Sequence, residues 1–256
     1  MPWTFAHPAA VLPLRSFHRL PFGALVVGSL SPDIGYYVGA FGVAARAHTL
    51  RGLIYICLPT AIALMVILRG LHKPVAGLLP YPHRQAVLAL PPFRWPNSLP
   101  AAGFVCLAIV IGAATHNVWD SFTHPAGFFV RKIWALRAIS FNLHGRDILR
   151  FEVLQHLSTI VGVFVLILAY RRVSRHAASV SVAPRESDAW RYALFGIIAV
   201  ISMAVAAPIA YFAATYGRGM SGTWLIIRFV IAYTTVFAVL LAAAGLVDAL
   251  RRKDRS

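Results

Sequence analysis

The sequence predicts an all-α protein, a polytopic membrane helical bundle, and three observations support this fold class. Of the 256 residues, 59% are hydrophobic and 12% are charged, whereas soluble domains usually carry about 25% charged residues. The mean hydropathy is +0.71. Apolar runs of roughly 20 residues, the length that crosses a bilayer as a helix, recur along the chain. We therefore expect most of the chain to be solvated by lipid.

The first apolar stretches are too short to cross a bilayer. His7–Phe17 and Pro21–Leu30 each cover roughly half of the hydrocarbon core at about 1.5 Å per residue, and the basic segment Arg15–Arg19 separates them. We expect an N-terminal short re-entrant helical hairpin with Asp33 at its mouth. The alternative is a single span over Phe22–Val43, which would place an ionised Asp33 at mid-depth, where a charge is costly. The hairpin is the favoured interpretation.

Five later runs are long and apolar enough to be transmembrane helices. They are Thr49–Leu68, Leu99–Trp119, Phe151–Tyr170, Tyr192–Thr215 and Trp224–Leu246. Pro59 and Pro208 interrupt two of them, and we expect a kink at each because proline lacks the backbone donor. This pattern predicts a metal-site membrane domain over 1–173, a linker over 174–191, and two C-terminal helices with a basic tail over 192–256.

The chain is strongly basic, with a net charge of +16 from 24 Lys and Arg against 8 Asp and Glu. In a soluble protein this balance would favour nucleic acid as the partner. Here most basic residues flank apolar runs, where they set topology and contact anionic headgroups. We therefore expect the lipid bilayer, and not nucleic acid, as the partner. The face that carries more Arg and Lys, together with the C-terminus, is predicted to be cytoplasmic in a multi-pass cell-membrane protein.

The most informative polar feature is the run His116-x-x-x-Asp120-x-x-x-His124 at the end of the second long apolar run. Side chains four residues apart lie on one stripe of a helix, and imidazole with carboxylate at that spacing suits a divalent metal ion. In isolation the run is equally consistent with a hydrogen bond that ties helix ends together. His124 follows the expected helix end, beside Pro125, and is an additional candidate.

Other segments bring His, Asp or Glu to the same predicted level of the membrane. His7 and Asp33 lie at the mouth of the hairpin, and His48 opens the next long run. Glu152 and His156 are four residues apart near the start of the run that follows the polar loop. A lone histidine at a helix end is usually a cap, but ionisable residues of a membrane protein that gather at one level indicate a functional pocket. We therefore predict a metal pocket between helix ends at the extracytoplasmic face.

Four short motifs occur together in this chain: PWTFAHPAA from Pro2, GSLSPD from Gly28, HTL from His48 and THNVWDSFTH from Thr115. In this combination the chain resembles a family of bacterial membrane proteins known as domain of unknown function 4184. That family is similar to membrane-bound predicted metal-dependent hydrolases. The resemblance covers roughly Met1 to Tyr170.

The resemblance implies a set of metal ligands, with Zn²⁺ the expected ion: His7, Asp33, His48, His116 and Asp120. The chain departs from the fuller hydrolase pattern at two places. Ile34 and Gly35 follow Asp33, so an Asp-x-Asp element is absent, and Ala44-Ala-Arg-Ala precedes His48 where a His-Arg-Gly element often stands. These departures argue against a second metal ion more than against a single one.

These residues predict a metal-dependent hydrolase. A divalent ion with an open coordination position activates water, and Asp120 or Glu152 is the candidate general base. The candidate anion-binding residues, which would hold a phosphoester or a lipid headgroup at the membrane interface, are Arg131, Lys132, Arg146 and Arg150. Snorkelling to the interface is the alternative role for these four. The alternatives for the whole protein are a non-enzymatic scaffold or assembly factor, and a transporter, against which the lack of an internal repeat argues.

Overall fold

The computed structural model describes residues 3–91, 93, 95–143, 145–180, 187–215 and 222–254, and it has the predicted all-α helical bundle. Among the described residues, five helices are long and apolar enough to cross a membrane, and each overlaps one predicted span. They are Leu50–Leu78, Leu99–Lys132, Arg150–Ser179, Ala189–Ala213 and Leu225–Lys253. The prediction of five transmembrane helices is therefore confirmed.

The chain forms two compact units. The first comprises Met1–Gly35, Ala40–Val66 and Phe93–Arg171. The second comprises Tyr36–Gly39, Ile67–Pro92 and Arg172–Ser256.

The N-terminal apolar stretches form two short helices that are packed against each other. Thr4–Ser16 is a 3₁₀ helix, because Pro8 and Pro13 remove backbone donors that a longer α-helix would need. Helix α1 covers Phe22–Leu30 and gives way to the 3₁₀ turn Ser31–Asp33. A continuous helix over Phe22–Val43 is therefore not formed. The re-entrant placement of the two short helices in the bilayer stays a prediction.

Side-chain caps mark the start of two later helices of the first unit. Helices α2 (Ile34–Tyr37) and α3 (Phe41–Ala47) come first. Helix α4 (Leu50–Gly52) then begins where the Thr49 hydroxyl accepts a hydrogen bond from the Gly52 amide at 3.0 Å. The π-helical turn Leu53–Cys57 joins α4 to α5 (Leu58–Leu78) one residue before Pro59. The Ser98 hydroxyl accepts the Ala101 amide at 3.3 Å at the start of α7 (Leu99–Thr123). These caps satisfy amides that a helix end leaves without partners.

Two glycines allow α1 and α7 to cross with their backbones in contact. A Cβ atom at Gly28 would overlap the carbonyl oxygen of Ile109, and one at Gly112 would overlap the carbonyl oxygen of Leu25. Around this crossing lies the apolar core of the unit, which includes Val11, Ala24, Leu25, Ala61, Ala108 and Ile109. The crossing brings the backbone at Ser29 next to the polar stripe of α7.

A short β-hairpin connects α7 to the next long helix. Helices α8 (Phe128–Lys132) and α9 (Trp134–Arg137) lead to strands β1 (Ile139–Leu143) and β2 (Arg146–Leu149), which pair antiparallel. Helix α10 (Arg150–Val180) begins directly after β2. The two strands lie in a segment predicted to be a polar loop, so they are an addition to the predicted fold.

The second unit contains α6 (His83–Leu88), α11 (Ala189–Thr215) and α12 (Gly222–Lys253), of which α11 and α12 are packed against each other. The Asp188 carboxylate accepts a hydrogen bond from the backbone N–H of Tyr81 at 2.7 Å and forms an ion pair with Arg191. The hydrogen bond from Tyr81, and then the contact with Arg191, hold the pKa of Asp188 below its usual value. The part of the predicted linker over 174–180 continues α10 as helix, and residues 181–186 lie outside the described residues.

Candidate metal centre

His116 and Asp120 lie on the inward stripe of α7, as their spacing predicted. His116 is fully buried and Asp120 nearly so, and the His116 Nε2 atom lies 3.4 Å from the Asp120 Oδ2 atom. The His116 Nδ1–H donates to the carbonyl oxygen of Ser29 at 2.7 Å. A carbonyl only accepts hydrogen bonds, so Nδ1 carries a proton, and in the neutral ring the Nε2 lone pair faces Asp120. This tautomer leaves Nε2 free to bind a metal ion.

His48 reaches the same point from the turn between α3 and α4. Its Nδ1–H donates to the Ala44 carbonyl oxygen at 2.8 Å, which fixes the tautomer in the same way. Its Nε2 atom lies 3.5 Å from Asp33 Oδ1 and 3.4 Å from Asp120 Oδ2. His48 therefore presents the same kind of ligand atom as His116.

Asp33 faces both histidines from the 3₁₀ turn that follows α1. Its Oδ1 atom lies 3.5 Å from the Nε2 atoms of His48 and His116. Its other oxygen, Oδ2, accepts the Thr4 hydroxyl at 2.6 Å. Thr4 therefore turns one carboxylate oxygen of Asp33 towards the histidines.

His7 closes the cluster from the 3₁₀ helix at the N-terminus. Its Nε2 atom lies 3.4 Å from Asp120 Oδ1, the oxygen that faces away from His48 and His116. Its ring stacks on the ring of His116 with centroids 3.7 Å apart and meets the edge of Trp119 at 5.8 Å. The Trp119 Nε1–H donates to the Ser158 hydroxyl at 3.1 Å, which ties this wall of the cluster to α10.

Four of these side chains have ligand atoms close enough to share one metal ion. Asp33, His48, His116 and Asp120 each offer one atom, and the four atoms lie within 4.8 Å of one another. Ligands held about 2.1 Å from a tetrahedral ion are about 3.4 Å apart, and the measured His–Asp separations are 3.4 and 3.5 Å. The cluster could therefore hold a divalent metal ion.

The hydrogen bonding of the cluster also fits a cation. Buried atoms without a hydrogen-bond partner among the described residues include Asp33 Oδ1, both carboxylate oxygens of Asp120, His116 Nε2 and both ring nitrogens of His7. Buried polar atoms without partners are costly, and buried carboxylates more so. A divalent cation at this point would neutralise two carboxylates and engage several of these atoms together.

The family of the chain follows from comparison with known proteins, because one family profile matches residues 1–246. The chain belongs to the family described as domain of unknown function (DUF4184). The matched residues include every side chain of the cluster. No curated protein and no solved structure matches the chain.

The structure of this DUF4184 protein places His124 next to the cluster but outside the group of four. His124 follows the last residue of α7 with an extended backbone. Its Nδ1 atom lies 3.2 Å from the backbone oxygen of Asp120 and 3.5 Å from Asp120 Oδ2, and its side chain is 25% exposed. His124 is thus positioned at the solvent-accessible edge of the group.

The structure places Glu152 at the start of α10. One of its carboxylate oxygens pairs with Arg146 at 2.6 Å, and the other accepts a hydrogen bond from the Leu149 amide at 2.9 Å, as in the capping box of a helix N-terminus. Both oxygens are engaged in this cap, and a catalytic role of Glu152 stays a prediction. The same ion pair occupies Arg146, which was predicted to bind an anion.

The remaining predicted residues are exposed and not among the four converging ligands. His156 lies on the exposed face of α10, and the other candidate anion-binding residues, Arg131, Lys132 and Arg150, are exposed around the β-hairpin.

Sequence reasoning missed the groups that orient the ligands. Thr4 stands within the opening motif of the chain, three residues before His7, so the motif contained a signal for it. The carbonyl groups of Ser29 and Ala44 have no sequence signal, because any residue provides a carbonyl.

Proposed function

We propose that this DUF4184 protein is an integral-membrane, metal-dependent hydrolase. The observation that carries the proposal is the convergence of two histidine Nε2 atoms and two carboxylates at one buried point. The resemblance of its family to membrane-bound proteins that are predicted to be metal-dependent hydrolases supports the same reaction class. Asp33, His48, His116 and Asp120 would hold the ion, with His7 against the second oxygen of Asp120.

The residues of the cluster would have different roles in the reaction. When bound, a divalent ion such as Zn²⁺ supplies Lewis acidity that activates water at neutral pH. Asp33, fixed by Thr4, the two oriented histidines and the Oδ2 atom of Asp120 would serve as ligands. The Oδ1 atom of Asp120, which faces His7, is the candidate general base. With Glu152 engaged as a cap, Asp120 is the one predicted base that remains at the cluster.

The proposed substrate is a phosphoester or a lipid headgroup at the membrane interface. Asp120 lies one turn from the end of α7, and the His48 side chain is 22% exposed, which opens the group to one side. The exposed residues Arg131, Lys132 and Arg150 are the candidates to hold the phosphate group of the substrate. We further propose that this face is extracytoplasmic and that the basic C-terminal face is cytoplasmic.

A metal-stabilised, non-enzymatic scaffold is the second candidate. The near-complete burial of Asp33, His116 and Asp120 favours it, since structural metal sites are closed while catalytic ones keep an open position.

Metal analysis followed by an activity assay tests the proposal. Protein purified in detergent without chelator should contain about one divalent ion per chain. His116→Ala and Asp120→Asn should each lose it, while His156→Ala, an exposed histidine, should keep it. Metal-dependent release of phosphate or headgroup from a lipid extract, abolished by a chelator, would support the hydrolase. A metal-free wild type would contradict both candidates, and a loaded protein that hydrolyses no phosphoester would favour the scaffold.

A further inference from the structure

The segment from Phe128 to Leu149 combines exposed apolar and exposed basic side chains. Trp134 is 74% exposed, and Phe128, Ile139, Phe141 and Leu143 are each about half exposed. From Phe128 to Arg150 the sequence contains five basic residues, Arg131, Lys132, Arg137, Arg146 and Arg150, against the single acidic residue Asp147. Such a surface suits a partner that is both apolar and anionic.

The segment is held in place at both ends. At its start, Val130 is fully buried, and the Phe129 ring stacks on Phe122 of α7 with centroids 4.1 Å apart. At its end, the Arg150 amide donates to the Ala138 carbonyl oxygen at 3.0 Å. The exposed side chains therefore extend from a fixed backbone.

The β-hairpin within this segment has an apolar residue pair on one face and a polar residue pair on the other. Phe141 lies opposite Ile148, whereas the neighbouring pair Asn142 and Asp147 is joined by a hydrogen bond of 2.8 Å. Neighbouring pairs lie on opposite faces of a strand pair. An isolated two-stranded hairpin is only marginally stable in water, so an apolar surface against Phe141 and Ile148 would stabilise it.

We propose that this segment, which we name the interfacial hairpin (Phe128–Leu149), lies on the bilayer surface and binds anionic phospholipid headgroups. Its chain position supports this, because it starts within the last five residues of the candidate span Leu99–Lys132 and ends directly before the candidate span Arg150–Ser179. Trp134 and Phe141 are amphipathic or apolar anchors for the headgroup level. Arg131, Lys132 and Arg137 attract an anionic surface. This inference does not depend on hydrolase activity.

Matched labels on the two faces of β1 test the proposal. In a Cys57→Ala, Cys106→Ala background, Phe141→Cys and Asn142→Cys are spin-labelled in the full chain. The protein is reconstituted into vesicles of phosphatidylcholine alone, or of phosphatidylcholine and phosphatidylglycerol in equal parts. We expect the ratio of oxygen to nickel-chelate accessibility to be several-fold higher at residue 141 than at residue 142, with the larger difference in the anionic vesicles. The pair Ile148→Cys and Asp147→Cys repeats the comparison on β2 and should agree.

A charge variant tests whether anionic lipid causes the difference in accessibility between residues 141 and 142. Replacement of Arg131, Lys132 and Arg137 by Gln should remove the effect of phosphatidylglycerol while leaving the melting temperature in detergent unchanged. Equal nickel accessibility at residues 141 and 142 in both vesicles would overturn the proposal, since the apolar face would then be in water. Protection of residue 141 from both reagents, independent of lipid charge, would indicate a protein partner and would also overturn it.

Discussion

At the scale of single residues, three of the four proposed ligands are oriented by a group bound to the atom that faces away from the cluster. The Ser29 and Ala44 carbonyls hold the Nδ1–H groups of His116 and His48, and the Thr4 hydroxyl holds one oxygen of Asp33. Such contacts fix the tautomer and the ring or carboxylate direction before a metal ion binds. Each contact leaves one lone pair of its ligand directed at the centre of the cluster.

The contact between Thr4 and Asp33 gives a prediction that leaves every ligand in place. Thr4→Val has nearly the same shape but lacks the hydroxyl, so Asp33 loses its 2.6 Å hydrogen bond and its fixed direction. We expect the Kd for Zn²⁺ to rise by about 10- to 100-fold, measured by competition with a chromogenic chelator. Ser16→Ala is the control, because it removes an exposed hydroxyl of the same 3₁₀ helix. Equal affinity of Thr4→Val and wild type would show that Thr4 does not orient the ligand.

The sequence predicted which His and Asp side chains come together, but not the groups that surround them. The spacing of His116 and Asp120 was enough to place them on one stripe, because a helix fixes that relation locally. His7, Asp33 and His48 come from distant segments, and only their common predicted level and the family resemblance joined them. The capping contacts of Glu152 could not be predicted, because its partners, Arg146 and the Leu149 amide, come together only when the hairpin folds.

At the scale of secondary-structure elements, the candidate centre depends on how closely α1 approaches α7. The glycine contacts allow the Ser29 carbonyl to come within 2.7 Å of His116 Nδ1. A helix pair separated by side chains would be 8–10 Å apart between axes, and small residues are the usual means of closer approach in membranes. The crossing therefore determines the geometry of a ligand that lies one turn further along α7.

Substitution at the crossing should disturb the metal centre without removing a ligand. In Gly28→Ala or Gly112→Ala the added Cβ would overlap a backbone carbonyl of the other helix, so the helices must separate. We expect both variants to lose most bound metal and to melt at a lower temperature in detergent. Gly103→Ala lies on the same helix with open space around its Cβ and should retain metal. Retention of full metal content by both crossing variants would show that the close approach is not required.

The β-hairpin could have been predicted from the sequence. Apolar and polar residues alternate over Ile139–Leu143, and Gly145 adopts a φ of 81° before β2. This combination is the usual signal of a short strand followed by a turn. The long apolar runs, in contrast, were predictable because membrane thickness sets their length.

At the scale of the whole molecule, the candidate centre belongs to the first unit alone. Its residues come from the N-terminal 3₁₀ helix, the turn after α1, the turn before α4, and α7, which lie far apart in the sequence. A bound ion would connect these elements directly. Helices α11 and α12 of the second unit contribute no residue to the group of four.

Metal removal should therefore loosen one unit and leave the other unchanged. An ion that binds only the folded protein at 100 times its Kd adds about 2.7 kcal/mol to the free energy of unfolding, and local openings of the unit that holds it become correspondingly rarer. We expect a chelator to speed amide hydrogen exchange in α1 and α7, measured by mass spectrometry, while exchange in α11 and α12 stays the same. In Asp120→Asn, which should not hold the ion, the chelator should have no effect. Faster exchange in both units on chelation, or in neither, would contradict a metal centre confined to the first.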